Sequence, residues 1–199
     1  MNSNIKKRFR GFLPIVVDVE TAGFDANKDA LLEVALVTIN KNANNFFSAD
    51  KTIHYHIEPF KGANLDKDAL EFNQIKPDHP FRFAKTETEA FTNIANEINK
   101  LLAQHNCTKA VLIGHNAHFD LAFINAAFNR TNIKNPFHSF TCFDTATLCA
   151  LAFAETVLAK AMYRAKIPFD LEHAHSAIYD AEKTAELFCV IYNNYKQIR

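Results

Sequence analysis

The sequence predicts a single α/β domain built on a mixed sheet. Two observations lead there. Three β-type segments follow one another with connections too short for a helical crossover, so they pair as an antiparallel meander. After them, helical and strand patterns alternate, which implies further strands covered by helices. A chain of 199 residues is long enough to bury a core of its own, and 48% hydrophobic with 22% charged residues argues against disorder.

Residues 1–13 carry Lys6, Lys7, Arg8 and Arg10 and read as a short basic arm, with residues 14–199 as one domain. Ile15-Val16-Val17-Asp18-Val19 is an apolar, β-branched run, hence a buried strand that ends at Thr21-Ala22-Gly23. Leu31 to Ile39 gives the second strand, Asn42 to Asp50 a polar turn, and Thr52 to Glu58 a third. In that third strand Ile53, Tyr55 and Ile57 share one face, and His54 and His56 the other. The histidine pair could suggest a metal, but no third ligand is evident, so it reads as exposed strand.

Leu65 to Gln74 is a short helix candidate, followed by a loop around Pro77 and Pro80. Thr86-Glu87-Thr88-Glu89 is a capping box ahead of apolar residues at helical spacing, from Phe91 to Leu102. Ala110 to Gly114 is a buried strand, Phe119 to Arg130 a helix, and Phe140 to Phe143 a short strand. The Ala-rich stretch 145–166 reads as two helices, and Ser176 to Gln197 as a long final one.

Composition excludes several classes. Four cysteines, without CxxC or zinc spacing, are too few for a disulfide scaffold and read as reduced thiols. Apolar runs such as residues 151–154 are far too short to span a bilayer, and no signal-type stretch follows the basic start. A cytoplasmic location is the expectation. Lys+Arg and Asp+Glu are both 22, which rules out a strong global field for nucleic acid but not a local basic patch. With 19 Phe and no Trp, the chain has aromatic rings to spare for stacking.

Three segments carry chemistry. Asp18 interrupts an apolar strand, and alternation puts Glu20 on the same side. Asp120 follows the strand-ending turn Gly114-His115-Asn116-Ala117-His118. His175 stands five residues before Asp180, at the opening of the last helix. Four carboxylates do not converge without cations: at ~4 Å each like pair costs roughly 4 kcal/mol at an effective dielectric near 20. Hard divalent ions with oxygen ligands remove that cost, and Mg²⁺ is the natural choice, with Mn²⁺ as a substitute. Two such ions suit an in-line phosphoryl displacement, with the imidazole as general base toward water.

Asp18-Val19-Glu20-Thr21, His115-Asn116-x-x-Phe119-Asp120 and His175-x-x-x-x-Asp180 resemble the three motifs of the DEDDh exonucleases, in family order along nearly the whole chain. The resemblance implies a ribonuclease H-like fold, with three antiparallel and two parallel strands flanked by helices. It further implies that Asp18 bridges two ions, that Glu20 and Asp180 hold the first and Asp120 the second, and that His175 is the base. Within the family, Arg8-Phe9-Arg10-Gly11-Phe12, Glu58-Pro59-Phe60 and Asn135-Pro136-Phe137-His138 resemble the exoribonucleases that trim tRNA and other stable RNA 3′ ends and also act on single-stranded DNA. That branch implies phenylalanine wedges at Phe24, Phe72, Phe119 and Phe140, and a carboxylate against the terminal base at Asp68. It also implies a homodimer whose basic patch, here Arg8, Arg10 and Lys109 with Lys100, feeds the partner's active site. Rival readings are a DNA-proofreading exonuclease subunit of the same motif class, and a binding module that keeps the fold without the chemistry. All five catalytic positions are filled, which weighs against the latter.

Overall fold

The computed structural model describes residues 5–44, 46–174 and 176–195. Five strands, β1 (Phe12–Thr21), β2 (Leu31–Lys41), β3 (Phe47–His56), β4 (Lys109–Gly114) and β5 (Phe137–Asp144), form one sheet in the order β3-β2-β1-β4-β5. β1–β2 and β2–β3 are antiparallel, and β4 and β5 add in parallel. This is the three-plus-two mixed sheet that the resemblance implies.

The helices are α1 (Ile5–Arg8), α2 (Lys67–Asn73), α3 (Glu87–His105), α4 (His118–Thr131), α5 (Thr145–Phe153), α6 (Leu158–Ala165) and α7 (Ala177–Tyr195). α3 starts at the expected capping box: Thr86 Oγ1 accepts from the Glu89 amide, and Glu89 accepts from the Thr86 amide. The Ala-rich stretch divides into α5 and α6, where Cys149, Ala161 and Met162 bury against Leu187 of α7. α7 packs across β1, β2 and β3.

Several boundaries differ from expectation, and in three segments a tertiary contact accounts for the difference. β1 begins at Phe12 rather than Ile15, because Phe12–Pro14 pair with Lys109–Val111 of β4. β3 begins at Phe47, within the expected polar turn. Phe47 is buried against Phe9 and Tyr192, and Asn193 of α7 accepts from its amide and donates to its carbonyl. Residues 5–8 are helical, with Ile5 and Phe9 buried, so this part of the basic segment is docked on the domain.

A half-buried ion pair ties the helical layer to the loop after β1. Arg130, in the last turn of α4, donates from Nε and Nη2 to Glu87 at 3.0 and 2.7 Å. Its Nη1 donates to the Ala26 carbonyl at 2.7 Å, and its guanidinium lies over the Phe60 ring. Glu87 is buried, so losing its partner leaves a charge stranded away from water. Arg130→Met should therefore cost about 1–3 kcal/mol in urea unfolding, since the site is only half-buried. Adding Glu87→Met should recover most of that loss, because the stranded charge goes with it.

Candidate active site

β1 is the central strand, paired on both edges, and its C-terminal half carries Asp18 and Glu20 on the face that α7 covers. α7 brings Asp180 in its first turn to that face. One carboxylate oxygen from each of Asp18, Glu20 and Asp180 lies within 4.8 Å of the other two. The parallel pairing of β4 with β1 delivers the fourth carboxylate. β4 ends at Gly114, the chain turns, and Asp120 falls in the first turn of α4, where it accepts a hydrogen bond from the Val19 amide at 3.1 Å. A Cβ at Gly114 would meet Asp120 Oδ2 at 2.9 Å and the Ala117 backbone at 3.1 Å, so glycine is required for that close approach.

The turn is held by Asp144, which the sequence reading missed. Its carboxylate accepts from the amides of Asn116, at 2.8 Å, and Ala117, while capping α5 through the Ala146 and Thr147 amides. Asn116 adopts a left-handed φ of 66° there. His115, part of the second motif, makes structural contacts: Nδ1 pairs with Thr145 Oγ1 and Nε2 with the Thr156 carbonyl. His175 lies outside the described residues.

Electrostatics show why this pocket suits cations. Burial, then repulsion from Asp120, Glu20, Asp180 and Glu33, holds the Asp18 carboxyl well above its ordinary range. Burial, then Glu33, Asp180 and Asp120, pushes Glu20 up to about 8. Asp120 is also pushed up to about 8, mainly by burial, against the opposing pull of backbone hydrogen bonds. An all-oxygen set crowded to this degree is the donor chemistry of a hard divalent ion.

Beside the carboxylates lies a cleft of about 770 Å³ lined by Glu20, Phe24, Asp68, Phe72 and Phe119. The Phe24 ring is 89% exposed and meets Phe119 edge-on at 6.1 Å. Phe72 is also largely exposed. Phe140 is placed elsewhere: it is exposed on β5, with its ring 4.5 Å from that of His138, and does not line this cleft. The loop that presents Phe24 is built on buried Asp29. Asp29 accepts from the Asp25 amide and the Asn64 side chain, and Asn73 of α2 donates to the Thr21 carbonyl. Gly23 has a φ of +146°, and a Cβ there would collide with Asp29 Oδ2 at 2.1 Å.

The expected basic residues lie at the opposite end of the sheet. Phe12 pairs with Lys109 at the N-terminal ends of β1 and β4, and six residues of strand, about 20 Å, separate Phe12 from Asp18. Arg8 stacks over the Tyr192 ring at 4.7 Å, Arg10 is exposed, and Lys109 donates to the Asn135 carbonyl at 2.8 Å. Lys100 pairs with Glu97.

Two outcomes test this site. The raised carboxyl pKa values mean that the metal-free folded protein holds protons that the unfolded chain releases. The contribution of these carboxyls to stability is fully present below about pH 4 and is lost as pH rises from about 4.5 to about 8. Melting of the chelator-stripped protein should thus occur at progressively lower temperature across that interval, and a divalent ion at pH 8 should reverse the loss. Asp18→Asn should raise the melting temperature of the stripped protein at pH 8 and blunt its response to the ion. Phe24→Ala should leave the melting temperature within about 2 °C, because an exposed ring contributes under ~0.5 kcal/mol to folding.

A family model described as an exonuclease family, RNase_T, matches residues 15–188. Ribonuclease T of Vibrio vulnificus strain YJ016 is 54% identical over 196 residues, 98% of this chain and 90% of its own length. Ribonuclease T of Shewanella denitrificans is 50% identical over 198 residues, 99% of this chain and 88% of its own length. Among solved structures, E. coli exonuclease I in complex with a dT13 oligonucleotide superposes with a TM-score of 0.67 at 16% identity, over 94% of this chain. This chain spans only 42% of that enzyme's length. A full-length 3′-exonuclease superposes with a TM-score of 0.68 at 14% identity, over 92% of this chain and 84% of that one. At those identities the structural likeness concerns the fold, whereas the ribonuclease T relatives match nearly the whole sequence. With its acidic motifs gathered at the end of β1, the protein belongs to the RNase T family of exonucleases.

Proposed function

We propose that this 3′-to-5′ exoribonuclease trims the 3′ ends of tRNA and other structured RNAs with Mg²⁺ as its ion, and accepts single-stranded DNA as a second substrate. The observation that carries the reading is the junction of two environments: crowded carboxylates open directly onto a cleft with exposed phenylalanine rings. The first suits phosphodiester hydrolysis, and the second grips bases without reading sequence.

Asp18, Glu20 and Asp180 would hold one ion, and Asp18 with Asp120 a second. Bound there, the ions supply charge neutralisation at the scissile phosphate and a more acidic water. The protein's own groups do the rest. Phe24, Phe72 and Phe119 stack on terminal bases, each contact contributing ~1–3 kcal/mol with little sequence demand. Asp68, on the same cleft, faces the terminal base and accepts from its polar edge. His175, just ahead of the helix that carries Asp180, takes the proton from the attacking water, and the product is a nucleoside 5′-monophosphate.

A homodimer is part of the reading. Arg10 and Lys109 lie at the end of the sheet remote from their own carboxylates. Their charges therefore serve the chemistry best by holding RNA that enters the cleft of a second copy. The same arrangement favours RNA trimming over a proofreading subunit, which would rely on a polymerase to present its strand. Free thiols at all four cysteines are compatible with the reducing cytoplasm, which we take as the site of action.

A 3′-labelled tRNA, digested with and without Mg²⁺, tests the proposal. Mononucleotide release that requires the ion is expected; internal cuts, or full activity in chelator, would overturn it. Asp18→Asn should abolish cleavage in the folded protein, and His175→Ala should slow it by ~10²–10⁴-fold while RNA still binds. Changing Arg8 and Arg10 together to Ala should raise KM on tRNA strongly and on a dinucleotide hardly at all. Each lost phosphate contact should also flatten the salt dependence by about one unit of slope.

A further inference from the structure

His54 and His56 alternate on β3 and so share a face, the one that α7 covers. Their expected place was open strand without a third ligand. The sheet register supplies one: Glu33 of β2 lies directly opposite His56, and Ala35 opposite His54, so the Glu33 carboxylate rises between the two imidazoles. His54 Nε2 contacts Glu33 Oε1, and His56 Nδ1 is 3.8 Å from the same oxygen. The two rings meet edge-on at 4.6 Å. One donor atom from each of the three residues lies within 4.8 Å of the other two.

We propose that Glu33, His54 and His56 form a second cation site, apart from the acidic pocket, for a borderline transition ion of the Zn²⁺ class. The donor set decides the class. Two imidazole nitrogens and one carboxylate are a poor cage for Mg²⁺, which prefers oxygen, and a good one for Zn²⁺, which takes His and Glu at about 2.0–2.2 Å.

Burial supports the assignment. Glu33 is 7% exposed, and it faces Glu20 across the β1–β2 pair. A carboxylate so enclosed, pressed by a second one, gains from a positive partner. Arg82, the nearby guanidinium, is committed to backbone: it donates to the Leu32 carbonyl at 2.6 Å and to the Pro77 carbonyl at 3.1 Å. An ion has access, because Glu33 and His56 line an open groove with Gln74, Lys76 and His79. On binding, the ion replaces the His54–Glu33 hydrogen bond with two ligand bonds and pins β2 to β3 beside the strand that carries Glu20.

Chelator-stripped protein titrated with Zn²⁺, in millimolar Mg²⁺ to occupy the all-oxygen pocket, tests this directly. One tightly bound equivalent is expected, and it should persist in the Asp18→Asn, Asp180→Asn double variant. Glu33→Gln or His56→Ala should each weaken it by more than about 100-fold, beyond what loss of an outer partner typically costs. X-ray absorption of the zinc-loaded wild type, which needs no variant to fold, should show scattering from two imidazoles. Uptake of no Zn²⁺ by the wild type, an all-oxygen spectrum, or loss of the equivalent only in the Asp18/Asp180 variant would each overturn the proposal.

Discussion

Mutual repulsion among Asp18, Glu20, Asp120 and Asp180 is the constraint on which the rest of this structure depends. Carboxylates at such spacing resist each other and resist leaving water. They stay together because each is fixed by an element that has no freedom to withdraw. β1 is locked by pairing on both edges. α4 is anchored by the Asp120 bond to the Val19 amide and by the Arg130–Glu87 pair at its other end. α7 lies along three strands of the sheet. The strain is thus borne by the whole apolar framework, and it becomes an affinity for divalent cations.

The same framework separates positive from negative charge. Chain direction puts the acidic groups at the C-terminal end of β1, while Arg10 and Lys109 fall at the N-terminal ends of the parallel strands. Positive charge is thereby kept away from the pocket, where it would compete with ions for the carboxylates. Between pocket and solvent, the Phe24 loop is made rigid by Asp29, Asn64 and Asn73, so an exposed ring is presented without collapsing onto the core. Other rings do core work: Phe91 and Phe128 meet edge-on at 4.8 Å, both fully buried. The phenylalanine surplus is therefore shared among the core, the cleft and other exposed positions such as Phe81, Phe83 and Phe140.

A second polar cluster repeats the first on a smaller scale. Glu33 interrupts the apolar run of β2 as Asp18 interrupts that of β1, and both lie on the face under α7. Where Asp18 is surrounded by carboxylates, Glu33 is met by two imidazoles. Neighbouring positions on one sheet face thus offer two donor sets of different softness.

The sequence by itself determined the element order, the antiparallel start, the added parallel strands, the capping box and the acidic motifs. Those features are local: alternation, helical spacing and a charge inside an apolar run are legible wherever they occur. What needed the tertiary structure was everything set by register and by long-range closure. Glu33 reaches His54 and His56 only through the β2–β3 pairing, and Asp144 reaches the Asn116 amide only because β5 lies beside β4. Phe24, Phe72 and Phe119 line the cleft while Phe140 lies outside it, a distinction that residue type does not carry. Strand starts at Phe12 and Phe47 were likewise decided by partners far along the chain, because a hydrogen-bonding edge or an apolar pocket extends an element beyond its own propensity.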